Sequence, residues 1–117
     1  MADLTHAAQA QLPLKPADFQ ILLVLLEGDL HGYGLMQRVE EQSSGRVRLE
    51  VGSLYRLIAR MTDEGLIERA GDDEEYRRRT YAITDMGREV ARLEAERLAD
   101  VLRTARNRNL LSRSEGR

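Results

Sequence analysis

Hydrophobic positions recur at helical spacing along most of this chain and alternate in a few short stretches. "PADFQILLVLLEG", from Pro16 to Gly28, is apolar almost all round, which predicts a helix buried on most sides. Pro16 suits a first helical turn, where a missing N–H costs nothing, and Gly28 is the expected stop. From about Gly32 to Ser43, Tyr33, Met36 and Val39, with Leu35, form an apolar stripe. Two glycines near its start lower helix propensity, so packing must hold this second helix. "RVRLEV", at Arg46–Val51, is alternating and β-branched and predicts a brief strand. A third helix follows from about Val51 to Glu64, with Leu54, Ile58 and Met61 as its buried stripe and Ser53, Arg56 and Arg60 on another face. Gly65 fits the left-handed position after it and Leu66 can touch Met61, the pattern of a Schellman stop.

"LIERAG" and "RRTYAIT" alternate in part and flank "DDEEYRR", which predicts an antiparallel hairpin with a charged loop. Thr84 caps a last helix, expected over about Asp85 to Arg108. Its apolar positions are Met86, Val90, Leu93, Leu98, Val101, Leu102 and Ala105. So long a helix on so small a domain needs a partner for its stripe. Self-association about a two-fold axis supplies one, packing against the first helix of the same subunit supplies another, and the two are compatible. The expected fold class is mainly α with a small β-wing: a winged helix-turn-helix plus a long C-terminal helix. Residues 1–14 read as a flexible arm, 15–84 as the winged helix-turn-helix, 85–110 as a dimerisation helix and 111–117 as a polar tail.

Composition narrows the function more than the fold. A chain of 117 residues, 42% hydrophobic and 32% charged, suits one soluble domain. Without cysteine there is no disulfide, thiolate metal site or cysteine nucleophile, which fits a reducing cytoplasm. No apolar run nears the roughly 20 residues of a membrane helix, and the start lacks the pattern of a secretory signal. No nucleophile elbow, metal-ligand spacing or phosphate-binding glycine loop appears, so no enzyme, metal or cofactor is expected. His6 falls in the arm, and His31 precedes the second helix, where capping or packing is its expected role. The net charge of -2 hides a local imbalance: 17 of the 18 basic residues are Arg, and Arg46 to Arg60 holds four Arg against Glu50. A GC-rich genome also enriches Arg, so placement must decide what these groups do.

The second and third helices, joined by a short turn, form a helix-turn-helix candidate, whose second helix would lie in the major groove of DNA. Gly52 and Ser53 would let its start approach the duplex, and Arg56 and Arg60 could reach guanine or phosphate. The plain alternative is a solvated charged face. "YRRRTY" then adds Arg77 and Arg79 on one side of the hairpin and Arg78 on the other, a wing able to follow the backbone or enter a narrow minor groove. The preceding "DDEE" could pair with these arginines and lower DNA affinity. A winged helix that serves protein interaction without binding DNA remains the alternative class.

"LLVLLEGDLHGYGLMQRV", "GSLYRLIARMTDEGLIE" and "RRRTYAITDMGREV" resemble the winged-helix core of the PadR family of bacterial transcriptional regulators, from about Phe19 to Glu94. The single long last helix resembles the short subgroup. The resemblance implies a homodimeric repressor whose recognition helix and wing bind double-stranded operator DNA, with Tyr55 matching the family's recognition-helix tyrosine; together with the residue reading above, the expected contacts are Ser53, Tyr55, Arg56, Arg60, Arg77, Arg78 and Arg79. It implies a dimer seam built from Phe19, Leu23, Val90, Leu93, Leu98, Val101, Leu102 and Ala105. Two positions depart from the family pattern: Glu50-Val51 replaces a common Ser-Pro pair, and Arg56 replaces a common Pro. Some short relatives hold planar drugs between aromatic side chains at the dimer interface. With no Trp, one Phe and no aromatic residue in the last helix, this chain is expected to take a smaller apolar effector or none.

Overall fold

A computed structural model of the chain describes residues 2–73 and 78–111. Its elements run α1 (Ala2–Gln9), α2 (Pro16–Leu25), β1 (Leu30–His31), α3 (Gly32–Gln42), α4 (Val51–Asp63), β2 (Ile67–Asp73), β3 (Arg78–Ile83) and α5 (Asp85–Asn107). Three strands form an antiparallel sheet in the order β1-β3-β2. The core gathers Ile21, Leu22, Val24 and Leu25 of α2 with Leu35 and Val39 of α3, and Leu54, Ile58 and Met61 of α4. Leu66 of the turn after α4, Ile67, Tyr81 and Ile83 of the sheet, and Val90, Ala91 and Leu93 of α5 close it. Burying α2 on nearly every side is what its unbroken apolar sequence requires.

Three expectations need correction. Residues 2–9, expected within a flexible arm, form a helix docked on α5: Ala8 is wholly buried and Thr5 Oγ1 donates to Glu89 Oε2 at 2.9 Å. The small Ala8 side chain permits that close approach. The stretch after Arg46 is not a strand. The free edge of β3 is taken instead by Leu30–His31, pairing Leu30 with Tyr81 and His31 with Thr80. Val47 and Leu49 still pack on the core, and Ser43 Oγ accepts from Val47 N at 2.9 Å to shape the turn. Finally, Tyr33 does not join the apolar stripe of α3; it is 60% exposed, and Leu35 and Val39 are the buried pair.

Two motifs that are distant in sequence meet at one corner. Gly65 takes φ 79°, and its N–H and that of Leu66 donate to Thr62 O and Met61 O, both at 3.0 Å, completing the Schellman stop of α4. Thr84 Oγ1 donates to Gly65 O at 2.6 Å and accepts from Gly87 N at 2.9 Å, while Thr84 N donates to Leu66 O at 3.1 Å. One threonine thus caps α5 and ties it to the end of α4. A Cβ on Gly87 would run into Leu66 O and the Ile83 side chain, so only glycine fits where α5 crosses this turn.

Candidate nucleic-acid interface

Helix α4 begins without a side-chain cap. Glu50 has the extended cap conformation (φ -88°, ψ 158°) but makes no capping bond, while its carbonyl accepts from Leu54 N at 2.8 Å. Replacing a Ser-Pro pair by Glu50-Val51 therefore keeps the backbone path and loses the side-chain bond to the first turn. With Leu54, Ile58 and Met61 turned inward, α4 presents Gly52, Tyr55, Arg56 and Ala59 outward. A Cβ on Gly52 would meet nothing nearer than Arg56 Nη1 at 3.8 Å, so packing does not demand glycine there and the surface above it is open. Arg56 is exposed; its Nη2 lies 3.4 Å from half-buried Ser53 Oγ, and no ion pair engages it among the described residues.

Tyr55 is 50% exposed and leans on the start of α3. A Cβ on Gly32 would lie 2.6 Å from Tyr55 Oη, so the glycine of "HGY" makes room for the tyrosine of "GSLY". His31 caps α3: its Nδ1 accepts from Gly34 N at 3.2 Å. That is a structural role, as its position suggested.

Arg60 does not share the outward face. Its Nη2 and Nη1 donate to Asp18 Oδ1 and Oδ2 at 2.8 and 2.9 Å, and Nη1 also reaches Glu64 Oε1 at 3.2 Å. The Asp18 side chain is 4% exposed, so its charge needs this partner, and the hydrogen bonds to Asp18 hold the guanidinium pKa above its ordinary value. Arg60, expected on the DNA-facing side, is held against α2 by a buried carboxylate no local pattern reveals.

The wing stands beside α4. Its register pairs Asp72 with Arg79 and Asp73 with Arg78, with a bulge at Arg69/Gly71. The acidic stretch is thus partly drawn into the strand opposite the arginines. Arg77 lies outside the described residues. Arg79 is exposed and, with Arg69, lines the wing side of an open groove of about 430 Å³; Tyr55, Ala59, Thr62 and Asp63 line its α4 side. Ala59 and Arg69 were not singled out in the sequence, though helical spacing from Arg56 would have found Ala59.

The residues assigned to a dimer seam divide along α5. Val90 and Leu93 are buried in their own subunit, and Phe19 and Leu23 are half-buried on α2. Leu98, Val101 and Leu102 are 38, 53 and 45% exposed, and Ala105 follows half-buried. The division falls at Glu94, which is 2% exposed and receives Arg97 Nε and Nη2, both at 2.7 Å. Those bonds lower its pKa against the desolvation that raises it, and the backbone N–H of Leu14 adds to the lowering. Among the described residues no acidic or histidine cluster could hold a metal, and no helix is long and apolar enough to cross a membrane.

Known proteins share this arrangement. A transcriptional regulator from Clostridium thermocellum is 26% identical, with a TM-score of 0.66 over 77% of this chain and 89% of its own. A PadR family transcription regulator from Clostridium difficile R20291, 23% identical, shares the fold with a TM-score of 0.71 over 83% of this chain and 100% of its own. RosR of H. salinarum, also 23% identical, gives 0.60 over 83% of this chain and 79% of its own. Among curated proteins, a 37.1 kDa protein of transposon Tn4556 from Streptomyces fradiae is 35% identical over 83 residues; the match covers 71% of this chain and 23% of that protein's length. The model of the transcriptional regulator PadR-like family matches residues 21–93, from the first core residue of α2 to the last core residue of α5. The chain belongs to the PadR-like family of transcriptional regulators.

Proposed function

We propose that this chain is a sequence-specific DNA-binding regulator, acting as a homodimeric repressor in the cytoplasm and released by a signal or small ligand. The observation that carries the reading is the outward face of α4: exposed Arg56, held by no carboxylate among the described residues, over an open surface of small residues. A residue with that freedom and a planar fork of donors suits the N7/O6 edge of guanine. Ser53, Tyr55 and the α4 amides suit phosphates, and Arg77, Arg78 and Arg79 of the wing suit the neighbouring backbone. Arg60 keeps its place in the fold. The chain works by binding and carries out no reaction.

The exposed second half of α5 is the proposed seam, with Leu98, Val101, Leu102 and Ala105 facing a second copy beside its Phe19 and Leu23. Two recognition helices about a two-fold axis would read half-sites about 34 Å apart, one turn of DNA.

Fluorescence anisotropy with duplexes from upstream of the chain's own gene tests this reading. One duplex should bind more tightly than scrambled DNA, with affinity falling as salt rises. Replacing Arg77, Arg78 and Arg79 together by Ala should weaken binding to all duplexes and flatten the salt dependence. Equal, salt-insensitive affinity for every duplex would overturn it.

A further inference from the structure

Arg56 gives α4 one base-reading group, and Arg60, drawn onto Asp18, gives none. A further exposed residue lies on the same face: Ala59, three positions beyond Arg56. We propose that Ala59 reads the 5-methyl group of a thymine in each half-site, next to the base pair met by Arg56. This assignment rests on the DNA-binding reading above.

Gly52, Arg56 and Ala59 stand at i, i+4 and i+7, opposite buried Leu54, Ile58 and Met61. On this face Gly52, half-buried Ser53 and Ala59 are small and flank the larger exposed side chains of Tyr55 and Arg56. At Gly52 and Ala59 the α4 backbone is covered by no long side chain of its own position. Ala59 also forms part of the helix side of the groove whose wing side carries Arg69 and Arg79. A sugar-phosphate strand held by Arg79 would bring its bases across Ala59.

Ala59 itself offers one methyl group and neither donor nor acceptor, although Tyr55, Thr62 and Asp63 line the same side of the groove. Guanine and adenine would set N7 and O6 or N6 against that methyl and gain no bond, while cytosine has only hydrogen at the carbon where thymine carries its methyl group. Thymine alone presents a methyl group on its major-groove edge. The alanine thus favours thymine through apolar contact, disfavours purines through unpaired polar groups and gains no methyl contact from cytosine.

The test starts by selecting operator duplexes from random sequence with the full chain. Each thymine of the selected half-site is then replaced singly by deoxyuridine, which lacks only the methyl group. One position should lose affinity about fourfold, equivalent to ~0.8 kcal/mol for one buried methyl group. Changing it in both half-sites should cost about 15-fold. Ala59→Gly should bind the thymine and uracil duplexes equally while keeping the guanine preference. If the glycine variant folds too poorly to assay, Ala59→Ser replaces it and should shift the selected base away from thymine. Should no thymine be methyl-sensitive, or should the sensitivity survive in Ala59→Gly or the thymine preference in Ala59→Ser, the assignment is overturned and DNA binding stands. If selection enriches no sequence at all, the DNA-binding reading falls and this assignment falls with it.

Discussion

Two arginines one helical turn apart on α4 have opposite fates, and the cause is a residue far away in sequence. Asp18 is buried, so it claims Arg60 and leaves Arg56 to solvent. Arg60→Ala should therefore act on stability first. Breaking a buried pair costs about 3–5 kcal/mol, and because Arg60 is 37% exposed, about 2 kcal/mol is expected in urea denaturation. Under conditions where both variants are folded, Arg60→Ala should keep the operator's base preference and Arg56→Ala should lose it. A loss of preference in Arg60→Ala would return that residue to the DNA face. Gly32 offers the converse case. A methyl group there meets the tip of Tyr55, a side chain that can swing aside, so Gly32→Ala should change the melting temperature little. It should nonetheless weaken DNA binding if the displaced side chain lies on the proposed interface; unchanged affinity would remove Tyr55 from it.

At the scale of elements, what was legible and what was not have separate physical causes. The extents of α3 and α4, the Schellman stop at Gly65 and the cap at Thr84 follow from residues a few positions apart, and the structure has them close to where the sequence placed them. The first strand was misplaced because pairing is a competition for one sheet edge: Arg46–Val51 has a strand-like pattern, yet Leu30–His31 holds the edge of β3. The docking of α1 depends on Ala8 fitting against a distant helix, which helical periodicity cannot report. Of the candidate face, the exposure of Arg56 and Tyr55 and the hairpin that carries Arg78 and Arg79 were legible from charge and spacing; the pairing of Arg60 with Asp18 and the outward turn of Tyr33 were not. Glu94 is another long-range surprise, a buried carboxylate in α5 served by Arg97 and by the N–H of Leu14. Its folded pKa lies below the ordinary value of about 4.3, so its contribution to stability is full above that pH. That contribution is lost as pH falls through the lower folded value. The urea midpoint of the native chain should thus fall more steeply below about pH 4.3 than that of Glu94→Gln. Parallel acid limbs would show that Glu94 contributes nothing specific.

For the whole molecule, the decisive question is what covers the outer half of α5. Leu98, Val101 and Leu102 leave an apolar stripe in water beyond the end of the subunit core. Leu98→Glu with Leu102→Glu should give a monomer by light scattering while the far-ultraviolet dichroism keeps its helical form. A dimer mass unchanged by both would put the seam elsewhere. The corner where Thr84 joins Gly65 and Leu66 then acquires a mechanical meaning. Because the start of α5 is bonded there to the turn that ends α4, the two helices form one bent frame, its long arm about 34 Å for the 23 residues of α5. In a dimer crossed along those arms, the crossing angle gauges the distance between the two DNA-facing ends. Substitutions on the outer stripe would then retune operator spacing while every residue that touches DNA stays the same.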